Sequence, residues 1–354
     1  MLAVIFLVAF GLMAIYSIDS AAEDPDFQNF TKQLIFFGIG TLLLIVLSFL
    51  DYRYLKSFSY VLFGIGVVML ILVLVFGTEV RGTRGWFFFF GDQGFQPVEL
   101  IKIFLIIILA RLFADWRAEI VLVKNLLIVF AVGLTLVGLV ILQPDFGSAV
   151  ILLTIVLGML ALVIKKKQYW VVIVIVLAVL FIGSWFFVFE DYQKERITTF
   201  LNPEHDPYKS GYNITQSIIA VGSGNLFGRG LGLGPQSRLN FLPVQETDFI
   251  FAVIAEELGL VGSTLVLICI GFLLYRIIRV ARFAQDDFGA FLACGIGIYI
   301  IVQSILNIGM NIGVLPIAGV PLPFLSYGGS SLLVSFLAIG IVQSVYARSK
   351  AQLQ

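Results

Sequence analysis

Histidine and cysteine are almost absent from this 354-residue chain, which has one histidine, His205, and two cysteines, Cys269 and Cys294. Without nitrogen and sulfur ligands there is no zinc-type centre, and any bound ion has to be held by oxygen, which suits magnesium or manganese. Both cysteines fall inside apolar runs at a spacing that fits neither a disulfide framework nor a metal site, and they read as small buried hydrophobes. Charge is scarce too: 12% of residues are charged, with 22 Lys and Arg balanced by 22 Asp and Glu. A net charge of zero gives no electrostatic footprint for nucleic acid, and no sequence repeat at a fixed period is visible.

What fills the chain instead is apolar, at 60% hydrophobic residues, far outside a soluble domain's composition. Apolar runs close to the length that crosses a hydrocarbon core of roughly 30 Å recur at Leu2–Ile18, Leu34–Leu50, Phe58–Phe76, Leu100–Phe113, Leu126–Leu142, Ala149–Ile164, Tyr169–Phe189, Leu258–Ile278, Phe288–Ile308 and Leu332–Tyr346. The expectation is an all-α polytopic integral membrane protein of about ten transmembrane helices, one domain over residues 1–354 with a large extracytoplasmic loop at 190–247. The first run has no basic start and no small-residue cleavage site before DSAAEDPD, so it reads as a retained span rather than a signal peptide. The fourth is short and interrupted by Lys102.

Alternate loops carry Arg53 and Lys56; Arg111, Arg117 and Lys124; Lys165 to Lys167; Arg276, Arg279 and Arg282; and Arg348 and Lys350. Short basic loops mark the cytoplasmic side, which puts both termini inside and the 190–247 loop outside. On that outer side, VRGTRGWFFFFGDQGFQPVELIK reads as an interfacial re-entrant segment, with Arg81 and Arg84 ahead of an aromatic run suited to the headgroup region. Glu99 and Lys102, three apart, share one helix face and should face a cavity rather than lipid. Asp145, in the turn LQPDFGSA, is the residue type of a plain helix cap. GRGLGLG is a weak phosphate-loop signal, on the side of the membrane without nucleotides. NIGMNIGVLPIAGVPLPFLSYGGSS, uncharged and rich in Gly and Pro, is irregular backbone that survives at membrane depth only packed in protein or lining a cavity.

Asp248 carries the sharpest signal. It lies where the polar loop turns into an apolar segment, in FLPVQETDFIFAVIAEELG, with Glu246 before it and Glu256 and Glu257 after. Ionisable groups placed there mark function by default. The competing reading is a helix N-cap, since Thr247 and Asp248 directly precede an apolar helix. Glu256 and Glu257, roughly 12 Å further along at 1.5 Å per residue, read as packing or gating groups.

Taken in order and spacing, QPVELIK, LQPDFGSA, ERITTFLNP, GYNITQS, FLPVQETDFIFAVIAEELGLVG and NIGVLPIAGVPLPFLSYGGSS resemble the SEDS family (shape, elongation, division and sporulation). GPQSRLNFLP favours its RodA branch over FtsW. The resemblance implies a peptidoglycan glycosyltransferase that polymerises lipid II on the outer face of the bacterial cytoplasmic membrane alongside a class B penicillin-binding protein. It also implies Asp248 as catalytic aspartate and Glu99 with Lys102 as a cavity pair; Arg196 and Asp145 fall at matching motif positions. The chain departs from the usual FLPE and HTDF at Val244 and Glu246. For this chemistry a desolvated carboxylate is a suitable base, while Arg81, Arg84, Arg196 or a divalent ion could steady a departing pyrophosphate. Two other classes fit ten helices with buried charge: a lipid-precursor flippase or transporter, and a noncatalytic scaffold for which Asp248 would be dispensable.

Overall fold

The computed structural model describes residues 1–21, 26–80, 82–90, 93–116, 119, 122–187, 191–201, 210–239 and 241–350. Every apolar run becomes helix: α1 (Leu2–Ala21), α2 (Gln28–Phe49), α3 (Arg53–Phe76), α4 (Pro97–Trp116), α5 (Val123–Ile141), α6 (Phe146–Ala161), α7 (Lys167–Phe187), α11 (Ile250–Arg282), α12 (Asp287–Asn311) and α13 (Gly329–Lys350). Among the described residues, seven of them are long and apolar enough to cross a membrane by length and composition. Of the others, α4 carries Glu99, Lys102, Arg111 and Asp115, α6 is 16 residues long, and α7 is a 21-residue helix of almost wholly apolar sequence.

Two connections differ from the sequence expectation. The segment read as re-entrant is a small antiparallel sheet, β1 (Thr78–Val80), β2 (Thr83–Phe90) and β3 (Gln93–Phe95), in the order β1-β2-β3. Thr83, Trp86 and the phenylalanines are strand formers, and Gly94 lies opposite Phe88 in the register because a Cβ there would sit 2.7 Å from the Trp86 ring. The long loop after α7 is partly helical, with α8 (Asp191–Leu201), α9 (Ser210–Ser223) and the single turn α10 (Pro235–Arg238).

The centre of the bundle is α4 and α12, which pack on each other while α13 packs on α2, α3 on α4, and α6 on both central helices. Nearly every residue of α4 from Pro97 to Phe113 is buried. Ion pairs between Arg53 and Asp286 (3.3 Å), Lys56 and Asp115 (2.7 Å), and Arg348 and Asp51 (3.3 Å) gather at the end of the bundle that carries the short basic loops. They are largely exposed, and such pairs contribute about 0–1 kcal/mol each.

Helix α11 is broken. Gly259 sits at φ 66°, ψ −160°, a conformation that glycine alone adopts without strain, and a Cβ there would lie 2.4 Å from the amide nitrogen of Gly228. A break leaves carbonyls and amides unpaired at membrane depth, where each has to find a partner. The loop after α9 supplies them. Arg229 and Gly230 donate their amides to the carbonyls of Glu256 and Glu257 (3.0 Å each), and Leu260 and Val261 donate to the carbonyls of Asn225 (2.9 Å) and Leu226 (3.1 Å). The half-helix from Ile250 to Leu258 is therefore a separate piece that carries Asp248 at its head.

Candidate active site

At the end of the bundle opposite the ion pairs lies a cavity of about 450 Å³. Its wall joins the start of α2, the sheet, the α5–α6 turn, α8, the residues leading into α11 and the loop between α12 and α13. Among the described residues, four charged side chains line it: Asp248, Asp145, Arg196 and Lys32.

Asp248 is half-buried. It does not cap α11: the cap position is Phe249, which makes no side-chain cap bond, and the first-turn amide of Ala252 goes to Asn311 Oδ1. Thr247 does not cap it either; its hydroxyl meets the Asp248 carboxylate at 3.2 Å. What orients Asp248 is its backbone. Its carbonyl accepts from the side-chain amides of Asn307 (3.0 Å) and Asn311 (2.9 Å). Just upstream, Ser326 Oγ donates to the Thr247 carbonyl at 2.5 Å and the Tyr327 amide to the Glu246 carbonyl at 2.8 Å. The uncharged Gly/Pro loop therefore does both things expected of it, burying Val320, Leu322, Phe324 and Leu325 while Ala318, Gly319 and Pro321 line the cavity. Gly319, at φ 64°, neighbours Asp248: a Cβ there would lie in ordinary contact, 3.8 Å from Asp248 Oδ2.

Asp145 is both a cap and a wall residue. Its carboxylate accepts from the Ser148 amide (2.9 Å), the Ser148 hydroxyl (2.7 Å) and Gln96 Nε2 (3.2 Å). Arg196, half-buried on α8, lines the same space. Arg84 is exposed on β2, in register with Glu79, and is not part of the wall; Arg81 lies outside the described residues.

Glu99 and Lys102 pair as their spacing suggests, Nζ to Oε1 at 2.7 Å, but they do not line the cavity. They are 2% and 0% exposed, closed in by α12, where Gln303 Oε1 accepts from Lys102 Nζ at 3.0 Å and the Tyr299 ring centroid lies 5.7 Å from it. The apolar length of α4 packs this pair into the bundle axis. Glu256 and Glu257 are likewise buried, and GRGLGLGPQS is wound onto them: Gln236 and Ser237 amides bind the Glu256 carboxylate (2.8 and 3.0 Å), and the Gly232 amide and Ser17 hydroxyl bind Glu257 (3.0 and 2.6 Å). These loop amides bind the protein's own carboxylates, so the segment forms no phosphate cradle.

Three contributors escaped the sequence reading. Lys32, half-buried in the first turns of α2, faces the cavity without an ion pair among the described residues; a lone lysine near a helix start carries no signal. Asn307 and Asn311 had one, being polar and four apart inside an apolar helix. For a divalent cation, Asp248 and Asp145 are the cavity carboxylates, and no group of three or more His, Cys, Asp or Glu suited to a metal occurs among the described residues. Magnesium commonly takes one or two carboxylates and completes its shell with water and substrate phosphates, a mode that these two carboxylates fit.

The chain matches the family model for FtsW, RodA and SpoVE, described as cell cycle protein, over residues 1–351. This chain belongs to the FtsW/RodA/SpoVE family. It is 39% identical to the probable peptidoglycan glycosyltransferase FtsW of Coxiella burnetii, covering 95% of this chain and 92% of that one. It is 36% identical to the peptidoglycan glycosyltransferase MrdB of Escherichia coli, covering 99% and 93%. Among solved structures it superposes on a chain from "Structural coordination of polymerization and crosslinking by a peptidoglycan synthase complex" with a TM-score of 0.80 at 31% identity, covering 99% and 98%. On the rod shape determining protein RodA of Thermus thermophilus the TM-score is 0.72 at 28% identity, covering 98% and 95%. Like the family, the chain is a multi-pass membrane protein.

Proposed function

We propose that this chain is a peptidoglycan glycosyltransferase that polymerises lipid II, an undecaprenyl-pyrophosphate-linked disaccharide peptide, on the outer face of the bacterial cytoplasmic membrane, with both termini in the cytoplasm. The observation that carries the chemistry is Asp248 on the wall of a cavity that also holds two cations, Lys32 and Arg196.

The reaction is an inverting displacement. The acceptor sugar hydroxyl attacks the anomeric carbon of the donor, the new C–O bond forms as the bond to pyrophosphate breaks, and the leaving group departs with the electron pair. Asp248 takes the hydroxyl proton in the transition state, a contribution of typically about 10² to 10⁴ in rate. One catalytic carboxylate suffices because pyrophosphate leaves without protonation, unlike a glycosidase's leaving group. Lys32 and Arg196 face the charge that develops on it, the electrostatic part of the work. A magnesium or manganese ion held by Asp248 and the pyrophosphate would add Lewis-acid stabilisation of the same charge. Glu99 and Lys102, sealed below the cavity, act on it through α12.

A class B penicillin-binding protein transpeptidase is the proposed partner; the complex structure similar to this chain supports an assembly of that kind. The role in elongation and rod shape rests on GPQSRLNFLP, since relatives named FtsW, MrdB and stage V sporulation protein E align over nearly the whole chain at 36 to 39% identity.

The test is polymerisation of labelled lipid II by the purified protein, with and without a partner, in detergent and in sealed vesicles. Polymer that disappears in Asp248→Ala is the expected result. Label crossing the bilayer without polymer would mean a flippase, and polymer undiminished in Asp248→Ala would leave a scaffold. Undiminished polymer in EDTA would remove the ion.

A further inference from the structure

Tyr299, Gln303, Asn307 and Asn311 recur at every fourth position of α12. That spacing stacks them on one face, and each is 0% exposed. Amides so deep in an apolar bundle are costly unless paired, and all three amide side chains are paired. Gln303 accepts from Lys102 Nζ (3.0 Å) and donates Nε2 to the Pro321 carbonyl (2.8 Å). Asn307 donates to the neighbouring Val320 carbonyl (2.8 Å) and to the Asp248 carbonyl (3.0 Å). Asn311 donates to the Asp248 carbonyl (2.9 Å) and the Asn307 carbonyl (2.8 Å), while its Oδ1 accepts from the Ala252 amide at 3.0 Å.

The contacts form one unbroken path. It runs from Glu99 to Lys102, to Gln303, to the Pro321 carbonyl, along the main chain to the adjoining Val320 carbonyl and so to Asn307, and ends on the backbone of Asp248. Pro321 and Asp248 are both on the cavity wall, whereas Glu99 and Lys102 are not. A deep ion pair three residues from the cavity's Gln96 thus reaches the site through α12 and the main chain at 320–321.

We propose that Gln303, Asn307 and Asn311 are positioning residues: they fix the Asp248 backbone at the head of the half-helix, and Gln303 couples that setting to the buried Glu99–Lys102 pair. The proposal rests on the glycosyltransferase reading. Asp248 occupies a turn ahead of α11, where its amide donates to the Val244 carbonyl at 3.2 Å and its carbonyl is taken by the α12 amides. Displacing a reacting group by about 1 Å can cost on the order of 10²-fold in rate, so the carbonyl clamp is where such a displacement is prevented.

The experiment compares Asn307→Ala, Asn311→Ala, Gln303→Leu and Lys102→Met with wild type in lipid II polymerisation, each normalised to the folded fraction from size-exclusion chromatography. Amide hydrogen exchange across residues 246–254 is measured on the same samples. Expected are a fall in kcat of about 10- to 100-fold with KM for lipid II within about threefold, and faster exchange across 246–254 in all four variants. Lys102→Met and Gln303→Leu touch neither Asp248 nor Ala252, so exchange that rises there reports coupling rather than a lost local bond; if Lys102→Met does not fold, Gln303→Leu carries this arm alone. Wild-type kcat in the folded fraction, or exchange across 246–254 unaltered in these remote variants, would overturn the proposal. Full polymerisation by Asp248→Ala would instead sink the functional reading, whatever the α12 variants do.

Discussion

The two ends of one half-helix carry the same chemical group in opposite circumstances. Glu256 and Glu257, at its foot, are buried and their oxygens accept from Gln236, Ser237, Gly232 and Ser17. Asp248, at its head, is held by its carbonyl while its carboxylate opens on the cavity. A carboxylate supplied with backbone donors serves to fasten loop to helix, because buried polar groups are retained where they are paired. A carboxylate whose main chain is fixed on a cavity wall stands where a substrate would meet it. Acidity alone does not separate the two roles; burial against backbone donors marks the one and a place on the cavity wall marks the other.

The contrast can be broken most forcefully at Asp248. Asp248→Asn preserves shape and removes the base, so lipid II polymerisation is expected to fall by about 10² or more while the melting temperature stays near wild type. The Glu99–Lys102 pair comes next. Lys102→Met leaves a buried carboxylate without its cation, and loss of one partner of such a pair costs about 3–5 kcal/mol, seen as a lower melting temperature and poor recovery from membranes. At the foot of the half-helix, Glu256→Ala strands the Gln236 and Ser237 amides. A loss of about 1–3 kcal/mol is expected, with faster proteolysis of the 225–239 loop and little change in kcat per folded molecule. Lys32→Ala sharpens the comparison from the substrate side: a charge-assisted contact to phosphate worth about 1.5–3 kcal/mol predicts KM for lipid II raised about tenfold or more. The smallest effect belongs to Asp145→Ala, about 1 kcal/mol for a lost N-cap in a melting curve.

Much of this was legible in the residues. Apolar runs gave the helices because a bilayer imposes a length, and the pairing of Glu99 with Lys102 followed from a three-residue step. Their place in the bundle axis did not, since periodicity in an all-round apolar helix such as α4 cannot say which side faces a cavity. TRGWFFFF read as re-entrant because aromatic residues suit both an interface and a strand, and only the pairing with Thr78–Val80 and Gln93–Phe95 decides between them. The break at Gly259 was not legible, because a glycine beside Glu256 and Glu257 reads as the start of an apolar run at Leu258; its evidence is the long-range set of bonds from 225–230. Asp248 was found for its position at a boundary, but its cap reading failed because the helix begins at Ile250 behind Phe249.

The most direct measurement is the turnover of lipid II by Asp248→Asn and Glu256→Gln side by side in the same vesicles, per folded molecule. The account predicts polymer abolished in the first and retained in the second. Equal polymer from both would contradict it, as would loss in Glu256→Gln with Asp248→Asn intact.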